Sequence, residues 1–234
     1  LPVIRLEDAG MGALMADYCL HAVLHIAGRW PAYGQQQARQ QWFPHAPLSR
    51  DALTVGILGL GVLGRQVAQR LHQSGFTVCG YTRTAPAQER QQALDGIEVL
   101  HGESGWRRFL ERSRVLILLA PLTSETENLI DARALSHLPP GAWLVNVARG
   151  ALVVDADLIA ALDCGSLEGA VLDVFRQEPL PADHPFWHHP RIVMTPHVSA
   201  PTQIDCSVRQ VAANIRRLVC GEPLKGLVDR QRGY

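Results

Sequence analysis

Three polar side chains with complementary chemistry each follow closely on an apolar run in the second half of the sequence. They are Arg149 in Asn146-Val147-Ala148-Arg149-Gly150, Glu178 in Asp173-Val174-Phe175-Arg176-Gln177-Glu178-Pro179-Leu180, and His197 in Thr195-Pro196-His197-Val198. A guanidinium can grip a carboxylate through paired N–H bonds and stabilise negative charge growing on a neighbouring carbonyl oxygen. An imidazolium can give that oxygen its proton, and a carboxylate beside the ring keeps it charged and oriented. Together the three groups suffice to reduce a 2-oxo acid by hydride transfer. Singly, each also has a plainer reading: a loop arginine, a surface glutamate, a histidine capped by backbone.

Hydride transfer needs a donor, and the first half of the chain carries a place for one. Gly59-Leu60-Gly61-Val62-Leu63-Gly64 follows the apolar run Thr54-Val55-Gly56-Ile57-Leu58 and opens a helical pattern of Val62, Val67, Ala68 and Leu71. In that strand-turn-helix context the glycines have distinct tasks. Gly59 permits the tight turn, Gly61 lets the backbone approach a pyrophosphate, and Gly64 lets helix and strand pack closely. The unpaired N–H groups at the helix start face the anion. A glycine-rich turn without a ligand is the plain alternative.

The choice of nucleotide falls at the end of the next strand, roughly twenty residues further on, where an acidic residue would take the ribose hydroxyls of NAD. Here the sequence has Thr82-Arg83-Thr84, with a guanidinium and two hydroxyls able to hold a phosphate and no carboxylate among them. NADP(H) is therefore favoured. A solvated Arg83 with mixed specificity is the alternative.

These groups need a sheet to bring them to one edge. Between Asp51 and Pro201, short apolar runs alternate with helical ones, as parallel strands joined by crossover helices require. The expected strands are Leu53–Leu58, Phe76–Tyr81, Ile97–Leu100, Val115–Leu119, Trp143–Val147, Ala170–Val174 and Ile192–Met194. Their uninterrupted apolar character fits a sheet covered on both faces. The fold class is thus α/β, a Rossmann-type doubly wound parallel sheet.

Outside that unit, apolar residues at helical spacing from Glu7 to Trp30 predict one long helix, and the glutamine-rich stretch from Pro31 to Pro47 reads as a connection. Trp42 and Phe43 within it read as packing groups for a neighbouring domain or subunit. Val208, Val211, Ile215, Leu218 and Val219 predict a last helix ending at Cys220-Gly221. The polar tail from Val228 to Tyr234 is expected along a surface.

Composition excludes some partners. The 22 basic and 22 acidic residues cancel, so no global positive field is available for nucleic acid or an anionic membrane surface. Five scattered cysteines without a C-x-x-C pair suggest neither a disulfide framework nor a zinc site and fit a reducing cytoplasm. No apolar run is long enough to span a bilayer, and the first residues lack a basic-then-apolar signal pattern. His184, His188 and His189 sit in a turn-rich stretch without carboxylate support, so a metal is not expected there. His21 and His25, four apart on the first helix, read as packing groups. Trp187 reads equally as pocket lining or packing.

From Asp51 to Pro201 the chain resembles the D-isomer-specific 2-hydroxyacid dehydrogenases. The resemblance rests on the Gly59–Gly64 turn, Pro121-Leu122-Thr123-Ser124-Glu125-Thr126, Leu144-Val145-Asn146-Val147-Ala148-Arg149-Gly150, Leu172-Asp173-Val174-Phe175, Glu178-Pro179-Leu180 and Pro196-His197. Arg5-Leu6-Glu7-Asp8, Gly10-Met11-Gly12, the Thr82-Arg83-Thr84 loop, Val228-Asp229-Arg230 and Arg232-Gly233-Tyr234 extend it to the branch that reduces glyoxylate and hydroxypyruvate with NADPH. The resemblance implies Arg149, Glu178 and His197 as the catalytic set. It places backbone of Val62 and Leu63 at the pyrophosphate, Leu119, Ala120 and Pro121 near the adenosine, and Val147, Ala148 and Asp173 at the nicotinamide, with Arg149 and His197 adjoining.

The resemblance further implies a homodimer formed through the first helix and the Trp30–Phe43 connection. In the family the dinucleotide unit is inserted in a flavodoxin-like substrate domain, and the N-terminal half of that second domain is absent from this sequence. Residues 1–47 are then a helix and connection of the substrate domain and dimer interface, 48–200 the NADP-binding unit, and 201–234 a helix and tail returning to the substrate domain. The first and last helices are expected to keep uncovered apolar faces. Two other roles share these motifs: an NADP-binding, corepressor-like sensor, and an inactive truncated remnant.

Overall fold

The computed structural model describes residues 2–85 and 94–228. Seven parallel strands form one sheet in the order β3-β2-β1-β4-β5-β6-β7. They are β1 (Val55–Leu58), β2 (Val78–Thr82), β3 (Glu98–His101), β4 (Val115–Leu118), β5 (Ala142–Asn146), β6 (Leu167–Leu172) and β7 (Ile192–Met194). Strand order reverses between β1 and β4, which makes their C-terminal ends the switch point where ligands of open α/β sheets collect.

Burial explains why the strands read as unbroken apolar runs. Val55, Ile57, Val115, Ile117, Trp143, Val145 and Val171 enter one core, whereas Leu58, Leu116, Leu118, Leu144, Ala170 and Leu172 enter the other. Successive side chains point to opposite faces, and here both faces are covered. The first core is closed by α1 (Met11–Ala27) and α3 (Val62–Gln73), the second by α4 (Gly102–Arg112), α5 (Ala132–Ser136) and α6 (Asp155–Asp163).

All seven expected strands are present, with one notable shift in bounds. The strand expected at Ala170–Val174 begins at Leu167 and stops at Leu172. Gly169 hides its start, because a side chain there would run into the Trp143 ring on β5. Asp173 and Val174 leave the strand and open the loop that carries Glu178.

The region before the sheet differs from expectation. The single helix expected over Glu7–Trp30 is α1 alone, preceded by three left-handed residues, Asp8, Ala9 and Gly10. Asp8 Oδ1 accepts from Gly12 N at 2.7 Å and Oδ2 from Gln66 Nε2 at 2.9 Å, tying the start of α1 to α3. Arg29, with φ 60°, breaks the run. A second helix, α2 (Trp30–Ala38), then occupies the stretch expected as a connection. Pro31 lies in its first turn, where a proline costs no hydrogen bond and its fixed φ suits a helix.

The uncovered apolar face expected of the first helix is also corrected. Met15, Ala16, Cys19, Ala22, Val23 and Ile26 are buried against α3 and the sheet. The last helix, α7 (Ile204–Val219), does expose its apolar row: Ile204, Val208, Val211, Ile215 and Leu218 face outward, while Ser207 and Asn214 are buried. Asn214 exchanges two hydrogen bonds with the Lys225 backbone, and Gln210 two with that of Glu7. An isolated bridge, Ile4 to Leu227, joins the two ends of the described chain. The tail beyond Val228 lies outside the described residues.

Candidate active site

The register aligns the C-terminal ends of the strands. Leu58 pairs with Tyr81 and Leu118, Leu118 with Asn146, Asn146 with Leu172, and Leu172 with Met194. Gly59, Thr82, Leu119, Val147, Asp173 and Thr195 therefore stand along one edge. Every candidate residue lies on that edge or in the loop leaving it.

At the switch point the Gly59–Gly64 turn has a shape that fits a phosphate. Gly59 has φ 100°, and a side chain there would meet Ala120 N at 2.7 Å, so the loop after β4 packs directly on the turn. A side chain at Gly64 would run into the Gly59 carbonyl. Gly61, in contrast, faces open space: a Cβ there meets no atom within 4 Å. The backbone is thus tight where strand and helix must touch and open where an anion must approach. The free start of α3, at Val62 and Leu63, points at that opening.

Leu119, Ala120 and Pro121 form the opposite lip. Leu119 N donates to Leu58 O at 2.8 Å, and the Pro121 carbonyl accepts from Thr126 Oγ1 at 2.7 Å. Thr82 and Thr84 are bonded to each other at 2.8 Å through the Thr82 hydroxyl. The side chain of Arg83 ion-pairs with Glu125 from the loop after β4. Sequence reading missed this carboxylate, because it looked for one only at the end of β2. The signal lay in Thr123-Ser124-Glu125-Thr126, whose turn is held by hydroxyl bonds from Thr123 and Thr126.

On the other side of the switch point, His197 Nδ1 lies 2.7 Å from Glu178 Oε2. Glu178 Oε1 accepts from Phe175 N at 2.9 Å, which fixes the carboxylate. Desolvation works to raise the Glu178 pKa, but the hydrogen bonds from His197 and Phe175 and the charges of His197 and Arg149 outweigh it and hold the carboxyl below its ordinary value. The Arg149 guanidinium donates to the Ala148 carbonyl at 2.6 Å, and its influence on Glu178 places it in the same electrostatic site. All three side chains reach solvent.

Two buried polar residues hold these loops together. Asn146 is 1% exposed; its Oδ1 accepts from Ala148 N and its Nδ2 donates to Arg149 O, closing the turn that presents Arg149. Asp173 N donates to the Asn146 carbonyl at 3.0 Å, and Asp173 O accepts from His197 N at 2.8 Å. The Asp173 carboxylate, fully buried, accepts from Val198 N and Ser199 N at 2.8 Å each. These bonds stabilise the left-handed backbone of His197, φ 55°, which aims the imidazole at Glu178. A side chain on Gly150 would run into the backbone of Phe175 and Arg176, so the Arg149 and Glu178 loops touch there.

The remaining polar candidates have structural partners. His184 Nδ1 accepts from Phe186 N, and His184 Nε2 lies 3.7 Å from Asp155; His189 lies 3.3 Å from Asp163. Trp187 Nε1 donates to the Pro181 carbonyl at 2.8 Å. His21 and His25 lie ring to ring on α1 at 6.2 Å. Among the described residues no three His, Cys, Asp or Glu side chains are grouped to hold a metal ion, and no single helix is long and apolar enough to cross a membrane.

Comparison with known proteins bears on this geometry. The family profile described as "D-isomer specific 2-hydroxyacid dehydrogenase, NAD binding domain" matches residues 20–199, and the chain belongs to that family of oxidoreductases. Among curated relatives, the glyoxylate/hydroxypyruvate reductase A of Salmonella heidelberg (strain SL476) is 43% identical over 234 residues, all of this chain and 73% of the relative. A D-isomer specific 2-hydroxyacid dehydrogenase from Xanthobacter autotrophicus Py2, solved with NADPH and MES, superposes with a TM-score of 0.94 at 40% identity, covering 100% of this chain and 94% of that one. An NADPH-dependent glyoxylate/hydroxypyruvate reductase from Sinorhizobium meliloti, solved with NADP and sulfate, gives a TM-score of 0.93 at 31% identity over 100% of this chain and 73% of that one.

Proposed function

We propose that the protein reduces small 2-oxo acids with NADPH, glyoxylate to glycolate and hydroxypyruvate to D-glycerate. The observation that carries this reading is the His197–Glu178 contact, 2.7 Å, on the same sheet edge as Arg149 and the open Gly61 turn. Relatives whose names state this activity share the whole length of the chain.

The residues divide the work as follows. Gly59, Gly61 and Gly64 with the Val62 and Leu63 amides receive the pyrophosphate, while Thr82, Arg83 and Thr84 receive the 2′-phosphate. Leu119, Ala120 and Pro121 line the adenosine side. Val147, Ala148 and Asp173 border the nicotinamide, beside Arg149 and His197. When bound, NADPH supplies the hydride.

Arg149 binds the substrate carboxylate and stabilises the charge that grows on the carbonyl oxygen. His197 gives its Nε2 proton to that oxygen, since Nδ1 faces Glu178. Glu178 holds the ring in that orientation and balances its charge. The carbonyl carbon gains the hydride, the oxygen gains the proton, and the imidazole leaves neutral for reprotonation from solvent.

The same reading makes the protein a homodimer of the cytoplasm. The exposed Leu24, Trp30, Trp42 and Phe43 of α1, α2 and the following stretch supply the contact surface. All five cysteines are free thiols, as a reducing compartment favours. Residues 1–47 and 201–234 serve the substrate domain and 48–200 the cofactor. The test is NADPH oxidation by the purified protein with glyoxylate and with hydroxypyruvate. Turnover abolished by His197→Asn supports the reading; tight NADPH binding with no turnover on either acid favours a sensor or an inactive remnant.

A further inference from the structure

The loop that carries His197 is anchored from an unexpected direction. Tyr18, on α1, lies 177 residues away in sequence, yet its hydroxyl oxygen is 2.6 Å from Thr195 Oγ1. Thr195 Oγ1 is 2.5 Å from Asp173 Oδ1. A carboxylate only accepts, so the single Thr195 proton goes to Asp173, and Tyr18 must donate to Thr195. Burial pushes the Tyr18 pKa up, the Thr195 bond opposes that, and the Asp173 charge adds to the rise, so the phenol keeps the proton it donates.

The chain of donors ends on the carboxylate that holds Val198 N and Ser199 N, two residues that flank or follow His197. Asp173 has no solvent exposure, and these donors satisfy the oxygens of its buried carboxylate. The anchor is rigid at its far end as well. Cys19, next to Tyr18, is fully buried in the core between α1 and α3.

We propose that Tyr18 and Thr195 are positioning residues for the proton-donating loop, acting through the hydrogen-bond chain Tyr18 O–H to Thr195 O–H to Asp173 carboxylate to the Val198 and Ser199 amides. This extends the reading of His197 as the proton donor and depends on it. Neither residue is among those assigned above to substrate or cofactor. Loss of the chain leaves His197 present and Glu178 ionised, but frees the turn to sample orientations that do not deliver the proton.

The test compares Tyr18→Phe, Thr195→Val and Thr195→Ser in the full chain. Loss of a neutral hydrogen bond predicts that Tyr18→Phe lowers kcat on glyoxylate by about 3- to 10-fold, and loss of the bond to the carboxylate predicts a fall of about 10- to 100-fold for Thr195→Val. Thr195→Ser, which keeps the hydroxyl, recovers most of the rate lost in Thr195→Val. NADPH affinity, read by fluorescence, stays near that of the unmodified protein. The solvent deuterium isotope effect on kcat rises in both slow variants, because proton delivery becomes more limiting. Amide exchange at Val198 and Ser199 accelerates in the same two variants.

Tyr18→Phe and Thr195→Val with unchanged rate, isotope effect and amide exchange would overturn the proposal. So would equal losses of rate, cofactor affinity and thermal stability that serine fails to rescue, because those mark a purely structural role. If the unmodified protein turns over neither acid, the reading of His197 as proton donor fails separately. Amide exchange then still decides whether the chain holds the loop.

Discussion

His197 combines a left-handed backbone with a ring nitrogen 2.7 Å from Glu178, and single substitutions at this contact have separable effects. His197→Asn should lower kcat by roughly 10²–10⁴ with NADPH binding retained, as measured by turnover and fluorescence titration. Arg149→Lys should also be costly, since an ammonium lacks the planar fork. The Glu178 carboxyl is held below its ordinary value, so its loss of charge should affect kcat/KM only beneath the usual carboxylate range. An acid limb near neutrality that vanishes in Glu178→Gln would contradict that assignment.

At the nucleotide end, Arg83→Ala should weaken NADPH far more than NADH. Glu125→Gln should do the reverse, tightening NADPH by roughly 2- to 5-fold because an exposed ion partner no longer competes for Arg83. Equal changes for both cofactors would refute it. That Arg83, Arg149, Glu178 and His197 share one sheet edge was legible in sequence, because each follows closely on an apolar run. Glu125 was not, since the pairing joins loops after two different strands. Asp173 was visible only by resemblance, because its amide partners Val198 and Ser199 leave no mark in the side-chain alphabet.

The seven strands were legible because both faces of the sheet are buried and each strand is an apolar run between polar turns. The helices before them were less so. Nothing in the periodicity reveals that Arg29 takes φ 60° and splits the pattern, or that a glutamine-rich stretch starting Trp30-Pro31 continues as a helix. The docking of α1 on α3 was hidden for a different reason: an apolar stripe shows that a partner exists but does not identify it. Ile26, 1% exposed, tests this contact. Ile26→Ala should destabilise the fold by about 2–5 kcal/mol in thermal or denaturant unfolding, whereas a helix with a solvent-facing stripe would lose almost nothing. Gly64→Ala should weaken NADPH about tenfold or more, because the new methyl forces the turn away from the Gly59 carbonyl. Unchanged affinity would show that the turn tolerates opening.

For the molecule as a whole, a net charge of zero conceals strongly local electrostatics. Positive groups collect along one sheet edge, at the start of α3, at Arg83 and at Arg149, which suits the phosphates of an NADP(H) nucleotide and, in the proposed reaction, the carboxylate of a 2-oxo acid. The apolar row of α7 and the aromatic groups of α2 and the residues after it are exposed. The chain spans 73% of the Salmonella relative, and the Xanthobacter structure it superposes on was solved with NADPH. The central claim is that these residues perform chemistry as well as bind. Its most direct measurement is NADPH oxidation with glyoxylate and hydroxypyruvate, run beside NADPH binding for the unmodified protein and His197→Asn. The account predicts turnover that requires the 2-oxo acid and disappears in the variant while binding persists. Binding without turnover on either acid, or turnover that survives His197→Asn, would contradict it.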